Sequence, residues 1–402
     1  MLVTTTAIAA ALMALQPAPE MSEAEQRALH ERVLTLDTHI DIGDGYATHQ
    51  LDPGGFTEAQ ADFPKMRAGG LDAGFFIIYT AQGPLDEDGY AAARAHAEES
   101  YQAINRMITG YPSQIGLART AEEAEAIHAS GRLVALIGME NAYPLGLSVD
   151  DIPLWAERGV RYVSLSHFGN SQFGGSSNPN LATGESPIDP GLSDLGKDLV
   201  EALNDHGIMV DISHVGPRTG MEALELSRAP VIASHSGARE VLDHPRNLTD
   251  DQLRAIRDNE GVAQMVALRA YVRQLPPEMI EERDALREEL GLTTREGRAA
   301  ASEETRAEYA RRWQEIRARY DDVTIADFVD HIDHAVEVAG IDHVGIASDF
   351  DGGGGVEGWD DASETFAVTQ ELIRRGYSEE DIAKIWGGNL LRVMRAVEEA
   401  AR

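Results

Sequence analysis

The chain has no cysteine. Disulfides, thiolate metal sites and a cysteine nucleophile are thereby excluded, although the compartment is not fixed by that absence. Lysine is scarce: Lys65, Lys197 and Lys384 are the only ones, and arginine supplies the remaining basic residues. Positive charge as a whole is short, with 34 Lys plus Arg against 68 Asp plus Glu and a formal net charge of −34. Phosphates would be repelled, so neither nucleic acid nor an anionic membrane surface is expected as a partner. Long apolar runs are missing except at the start. Residues 1–20, MLVTTTAIAAALMALQPAPE, are apolar and rich in alanine, then break at Pro17 and Pro19. This stretch is too short for a membrane span. It reads as the apolar part of a secretory signal, or as a frayed terminus, since no Lys or Arg precedes it and no clean small-x-small cleavage site is visible. Residues 1–25 are therefore set aside as signal or disordered N-terminus, and 26–402 are expected to form a single domain. A functional signal would make the protein periplasmic or secreted; otherwise it is cytoplasmic.

What is present is enough apolar residue, 43% of 402, for one large α/β domain. Eight short apolar runs punctuate the chain, at residues 33–38, 75–79, 133–139, 161–166, 208–213, 230–234, 262–268 and 343–348. Helix-like stretches alternate with them: Tyr90 to Thr109, Ala121 to Ser130, Ser193 to His206, Thr219 to Ser227 and Thr249 to Asn259. Thr120 and Thr249 stand as N-caps with acidic residues in the following turn. The alternation predicts βα units around a parallel sheet, and runs that are apolar throughout predict strands covered on both faces. The expected fold is a (β/α)8 barrel of the TIM type. Residues 274–320, long, charged and helix-like, are too many for an ordinary loop. They are expected as a helical insertion before the last strand, over or beside the barrel mouth.

Six of the eight runs end at or just before a side chain able to bind metal or act in catalysis: His39 and Asp41, Glu140, His167, His214, His235 and Asp349. A parallel barrel puts all its strand C-termini on one face and builds its site there. Residues 310 positions apart in sequence could thus meet. His39 and Asp41 are two apart, so in an extended segment they face the same way, with ordinary zinc-ligand atoms. Glu140 ends an apolar strand, where a carboxylate is costly unless paired or metal-bound; pairing with arginine or capping a helix is the plainer alternative. None of the three lysines follows a run, so Glu140, not a carboxylated lysine, is the expected metal bridge. His214 and His235 sit in matched contexts, DISH and ASHS, 21 residues apart, one helix plus two short loops. Asp349 lies in SDFDGGGG, where the glycines permit close approach of backbone to ligand; Asp351 reads as a loop or capping residue. The glycine run lacks the Lys-Ser/Thr of a phosphate-binding loop. His167 is a donor placed to stabilise an oxyanion. Arg246, in HPRN, is either a bidentate clamp for a carboxylate or a loop arginine.

The stretches DTHID, GMEN, GVRYVSLSH, VDISHVG, LSRAPVIASHSGAR, HPRNLTD, VGIASDFDG and GGNLLRV together resemble the membrane (renal) dipeptidase family of binuclear zinc peptidases, within the amidohydrolase superfamily. The likeness runs from about residue 33 to 395. It implies two Zn2+ ions, with His39 and Asp41 on the first, Glu140 bridging, and His214 and His235 on the second. It further implies attack on the peptide carbonyl by a metal-bridging hydroxide. His167 would hold the oxyanion, Arg246 the substrate's C-terminal carboxylate, and Asp349 the free amine and the proton passed to the leaving nitrogen. The expected substrates are free dipeptides, including those with a C-terminal D-residue, and the expected assembly is a homodimer. Two other readings stand beside it: an amidohydrolase acting on another small amide such as an N-acyl amino acid, and a catalytically silent metal-binding barrel.

Overall fold

The computed structural model describes residues 21–43, 45–293, 297 and 301–402. Its frame is a set of parallel strands: β1 Leu36–Ile40, β2 Ala73–Tyr79, β3 Ile115–Leu117, β4 Leu133–Glu140, β5 Val160–Ser164, β6 Met209–Asp211, β7 Ile232–Ser236, β8 Val262–Val266 and β9 Val344–Ala347. Eight of them lie side by side in the order β1-β2-β4-β5-β6-β7-β8-β9. The ring closes where Ile40 bridges Phe350, just past β9, and the Asp41 N–H donates to the Phe350 carbonyl at 2.8 Å. Each barrel strand overlaps one of the eight apolar runs. β3 has no counterpart in the sequence reading; it is three residues long and pairs only with β4.

The strands are buried on both faces; β4, LVALIGME, is buried at every position. One hydrophobic cluster takes alternate residues around the ring, among them Leu36, Phe75, Ile77, Val134, Leu136, Tyr162, Met209, Ile232 and Val262. Leu390, Leu391, Val393 and Met394 of the C-terminal helix join it, so that helix plugs the end where strands begin. Between β4 and β5 a Cβ on Gly138 would lie 2.3 Å from the Tyr162 ring, so only glycine lets that ring lie across the barrel interior.

Two helices begin where Thr120 and Thr249 predict, and a third begins behind Ser193, which the sequence reading placed inside the helix. Thr120 caps Ala121–Ala129, Ser193 caps Asp194–Asp205, and Thr249 closes a capping box with Gln252 ahead of Asp250–Asp258. Among the described residues the insertion holds two helices, Pro277–Glu289 and Glu303–Arg317, between β8 and β9. Arg312 pairs with Glu289, and Arg319 with Glu282, across it. At the other end of the chain a helix starts at Glu23 behind a Ser22–Glu25 capping box, inside the segment set aside from the sequence; residues 1–20 of that segment lie outside the described residues. No helix among the described residues is long and apolar enough to cross a membrane.

Candidate metal centre

The site residues come from six strand ends. His39 lies in β1 and Asp41 just past it; Glu140 is the last residue of β4; His167 and His214 follow β5 and β6; His235 lies in β7; Asp349 follows β9. β1 and β7 each run two residues further than their apolar runs, because backbone pairing continues beyond the apolar side chains. β1 pairs with β2 as far as Ile40, with a register shift between Asp37 and Ile40; β7 pairs with β8 as far as Ser236, with a shift between Ala233 and Ser236. Both irregularities contain a site histidine. A bulge re-aims side chains locally, and here His39 and His235 turn toward one point.

That point is Glu140. Its Oε1 is 2.9 Å from His214 Nε2, 3.3 Å from His235 Nε2 and 3.7 Å from His167 Nε2. Its Oε2 is 3.6 Å from His39 Nε2, which also lies 3.5 Å from Asp41 Oδ2 and 3.9 Å from Asp349 Oδ1. Ligand atoms of His39, Glu140 and His235, of Glu140, His167 and His214, and of His39, Asp41 and Asp349 each lie within 4.8 Å of one another. His214 and Asp349 hold left-handed backbone, φ 68° and 59°, as does Asn141 beside Glu140, φ 73°. Such conformations are costly for non-glycine residues and gather at functional sites.

Two of the imidazoles are oriented from behind. His39 Nδ1 is 2.9 Å from the Tyr162 hydroxyl, and His235 Nδ1 is 2.8 Å from Ser234 Oγ, which in turn donates to Asp211 Oδ2 at 2.7 Å. Each arrangement leaves Nε2 facing the site. Asp37 accepts the N–H groups of His39 and Ser348, tying β1 to the end of β9, and burial pushes its carboxyl up to about 6.

Electrostatics favour cations here. Burial raises Asp349 well above the usual carboxylate range and raises Asp41 as well, Glu140's charge adding to both. Burial lowers His214 and His235 well below the ordinary imidazole value, with Arg246 and His39 respectively adding to the effect, so both keep a free lone pair. Burial opposes charge on His39 too, but the nearby Glu140 and Asp41 outweigh it and hold His39 well above normal. Glu140 is held well below normal, its histidine neighbours outweighing burial. Burial thus favours the proton on Asp349, and the buried carboxylates favour the proton on His39. His39 Nε2, though buried and facing carboxylates, has no hydrogen-bond partner among the described residues. His214 and His235 Nε2 atoms face each other at 2.8 Å. An unpartnered imidazole nitrogen, two facing lone pairs and converging carboxylates are what a pair of divalent cations requires, and the donor set fits them.

The comparisons agree with this geometry. The profile of the membrane dipeptidase family (Peptidase family M19) matches residues 23–402. The chain belongs to the membrane dipeptidase family. It is 30% identical to dipeptidase aclJ of Aspergillus oryzae over 97% of this chain and 86% of that one. Against dipeptidase verJ of Clonostachys rogersoniana the identity is 32% over 85% and 77%. The crystal structure of the probable dipeptidase PvdM from Pseudomonas aeruginosa superposes with a TM-score of 0.82, 36% identity, and coverage of 94% and 98%. The protein is therefore a metallopeptidase of the dipeptidase type, on a (β/α)8 barrel.

The dipeptidase site opens into a cavity of about 290 Å³. Asp41, Glu140, His167, His214, His235 and Asp349 form its polar side; Ile42, Tyr79, Phe168, Leu268 and Tyr271 form apolar walls. Arg246 is buried beside it. Its Nη2 donates to the His235 carbonyl at 2.8 Å, its Nη1 to Ser236 Oγ at 3.4 Å, and its guanidinium lies 5.3 Å from the centre of the Tyr271 ring. Its Nε is buried without a hydrogen-bond partner among the described residues. The loop-surface alternative for Arg246 is thereby removed. Asp351 does hold a loop, accepting the Gln60 N–H at 2.9 Å, and it also lines the cavity.

Tyr162, Tyr271, Phe168, Tyr79 and Leu268 were not found from the sequence. Tyr79 ends an apolar run and Phe168 follows His167, so position alone could have marked those two. Tyr271 carries no local signal. Asp37 and Asp211, two and three residues before a site histidine in DTHID and VDISH, are charges inside apolar runs and could have been read as supports.

Proposed function

We propose that the protein is a binuclear zinc dipeptidase acting on free dipeptides, those with a C-terminal D-residue included. The observation that carries the reading is the convergence of four imidazole Nε2 atoms and the carboxylates of Asp41 and Asp349 around Glu140. His39, Asp41 and Glu140 would hold one cation; Glu140, His214 and His235 would hold the second. When bound, such a pair lowers the pKa of water toward neutrality and offsets charge growing on a carbonyl oxygen. The chain's own groups do the rest. Arg246, buried beside the cavity, takes the substrate's C-terminal carboxylate through the Nη hydrogens that its bonds to His235 and Ser236 leave over. His167, at the cavity edge, steadies the carbonyl oxygen as it becomes an oxyanion. Asp349, whose carboxyl burial drives toward the protonated form, receives the free amine and passes a proton to the leaving nitrogen. The apolar walls receive the side chains. A homodimer is part of the proposal, and light scattering decides it.

The test is amino-acid release from L-Ala-L-Ala and L-Ala-D-Ala by zinc-loaded, chelated and zinc-restored protein, with bound metal counted. Two zinc per chain and zinc-dependent release support the reading, and the ratio of the two rates reports D-tolerance. Release from an N-acetylated dipeptide but not the free one would move the assignment to N-acyl amino acids. No release with metal bound would leave a silent barrel.

A further inference from the structure

The insertion is joined to the cavity walls by a cluster of charges outside the metal centre. Arg269 follows β8 on the same single helical turn as Tyr271. Its Nε donates to Asp322 Oδ1 at 3.1 Å, its Nη2 to Asp360 Oδ1 at 2.6 Å, and its Nη1 to the Gly355 carbonyl. Arg317, the last residue of the second insertion helix, completes the cluster: Nε reaches Asp322 Oδ2 at 2.7 Å and Nη2 reaches Asp360 Oδ1 at 3.1 Å. Burial tends to raise Asp322, but the two guanidinium charges outweigh it and hold the carboxyl below its usual range.

Arg269 joins two segments that end in the cavity, and Asp322 and Asp360 link Arg317 to it. Leu268 and Tyr271, flanking Arg269, line one wall; Gly352 and Asp351, a few residues before Gly355, line the next. Leu268 bridges Gly355, and the Gly355 N–H donates to the Ala267 carbonyl at 2.8 Å. The loop that holds Asp349 is thus stitched to the segment that holds Tyr271, and Arg317 ties both to the insertion. Arg269 and Asp322 are largely buried, so their pairing is screened less than a surface pair, and loss of one member leaves an uncompensated charge. The insertion's own surface is dominated by exposed Glu–Arg pairs such as Arg311 with Glu308 and Glu315, which contribute little to stability.

We infer that the helical insertion is a positioning device for the substrate cavity: through Arg317, Arg269, Asp322 and Asp360 it fixes the wall bearing Tyr271 against the loop bearing Asp349. This rests on the reading of the cavity as the dipeptide site. None of the four touches the proposed metal ligands, so the cluster acts on substrate fit and leaves metal binding alone. Displacing a wall by a fraction of an ångström weakens productive binding.

The experiment compares wild type, Arg317→Met, Asp360→Asn and the double variant, all zinc-loaded, with Glu140→Gln as control. Arg317→Met and Asp360→Asn are each expected to raise KM for a free dipeptide roughly threefold to tenfold, with metal content unchanged. The double variant is expected to be no worse than the poorer single one, because both remove the same link. Arg317→Lys, which keeps the charge but not the fork, is expected to recover part of the loss. A lower melting temperature with KM and kcat unchanged in both single variants would reduce the cluster to a structural clamp and overturn the inference. Should Arg317→Met fail to fold, Asp360→Asn, whose side chain is half exposed, carries the test alone. An active Glu140→Gln enzyme would instead sink the reading of the cavity itself.

Discussion

At the residue scale the site is a balance between burial and charge. Six ionisable side chains crowd Glu140, and burial penalises a charge there unless a counter-charge is near. Arg246 is the clearest case: a buried guanidinium with an unpartnered Nε and, among the described residues, no carboxylate in an ion pair with it. Its Ala variant is expected to cost roughly tenfold to a hundredfold in kcat/KM on free dipeptides, the span for a charged hydrogen bond. The same variant should no longer distinguish a dipeptide from its C-terminal amide, and steady-state kinetics on that pair decides it; undiminished discrimination refutes the role. Tyr162 makes a second prediction. Its hydroxyl is 2.9 Å from His39 Nδ1, so Tyr162→Phe should weaken metal retention by about tenfold to a hundredfold. Titration with a competing chelator measures this, and an unchanged zinc affinity would show that the ring, not the hydroxyl, sets His39. The ligand-type residues were legible because each stands alone against an apolar run. Tyr162 was not, for it lies in a run of its own kind and meets His39 only across 123 positions of sequence.

At the scale of the element, strand ends and caps decide where side chains point. The bulges in β1 and β7 could not be read from DTHID or ASHS, because a bulge depends on the partner strand's register as much as on the bulged residues. The helices were easier, since Thr120 and Thr249 act on N–H groups three residues away. One helix makes a pH prediction. In Ile325–Ala339, His331 is fully buried; its Nδ1 accepts the Ala238 N–H at 2.9 Å and its Nε2 is 2.8 Å from the Val272 carbonyl. Burial holds this imidazole below its ordinary 6.5. Below pH 6.5 the unfolded chain therefore binds a proton that the folded chain refuses, so stability falls as pH drops through that value. His30, lowered by burial as well, adds in the same sense. Urea unfolding between pH 8 and about pH 5 should show the decline, with a shallower slope in His331→Gln, which cannot titrate. Equal slopes would assign the decline to other groups.

At the scale of the whole molecule, a cation at Glu140 would join β1, β4, β6 and β7, which are spread around the ring. Metal that binds only the folded chain stabilises it by mass action, about 4 kcal/mol at a thousandfold excess over Kd. Removing metal with a chelator should accordingly lower the melting temperature, and restoring zinc should return it. A scan that does not move would mean that no strongly bound metal links these strands. The formal charge of −34 acts over the same scale. It opposes non-specific association while leaving the reaction to the site.

The sequence by itself determined the eight-stranded alternation, the helical excursion at 274–320 and the set of histidines and carboxylates at strand ends. Those depend on periodicity, caps and the cost of a lone charge beside an apolar run, all local in the chain. Only the tertiary structure decided that Arg246 is buried beside His235, that Tyr162 supports His39, that Tyr271 and Phe168 wall the cavity, and that Arg317 ties the insertion to it. Each is a meeting of segments far apart in sequence, fixed by barrel closure and strand register, and no local pattern encodes a contact whose partner is set by the whole ring.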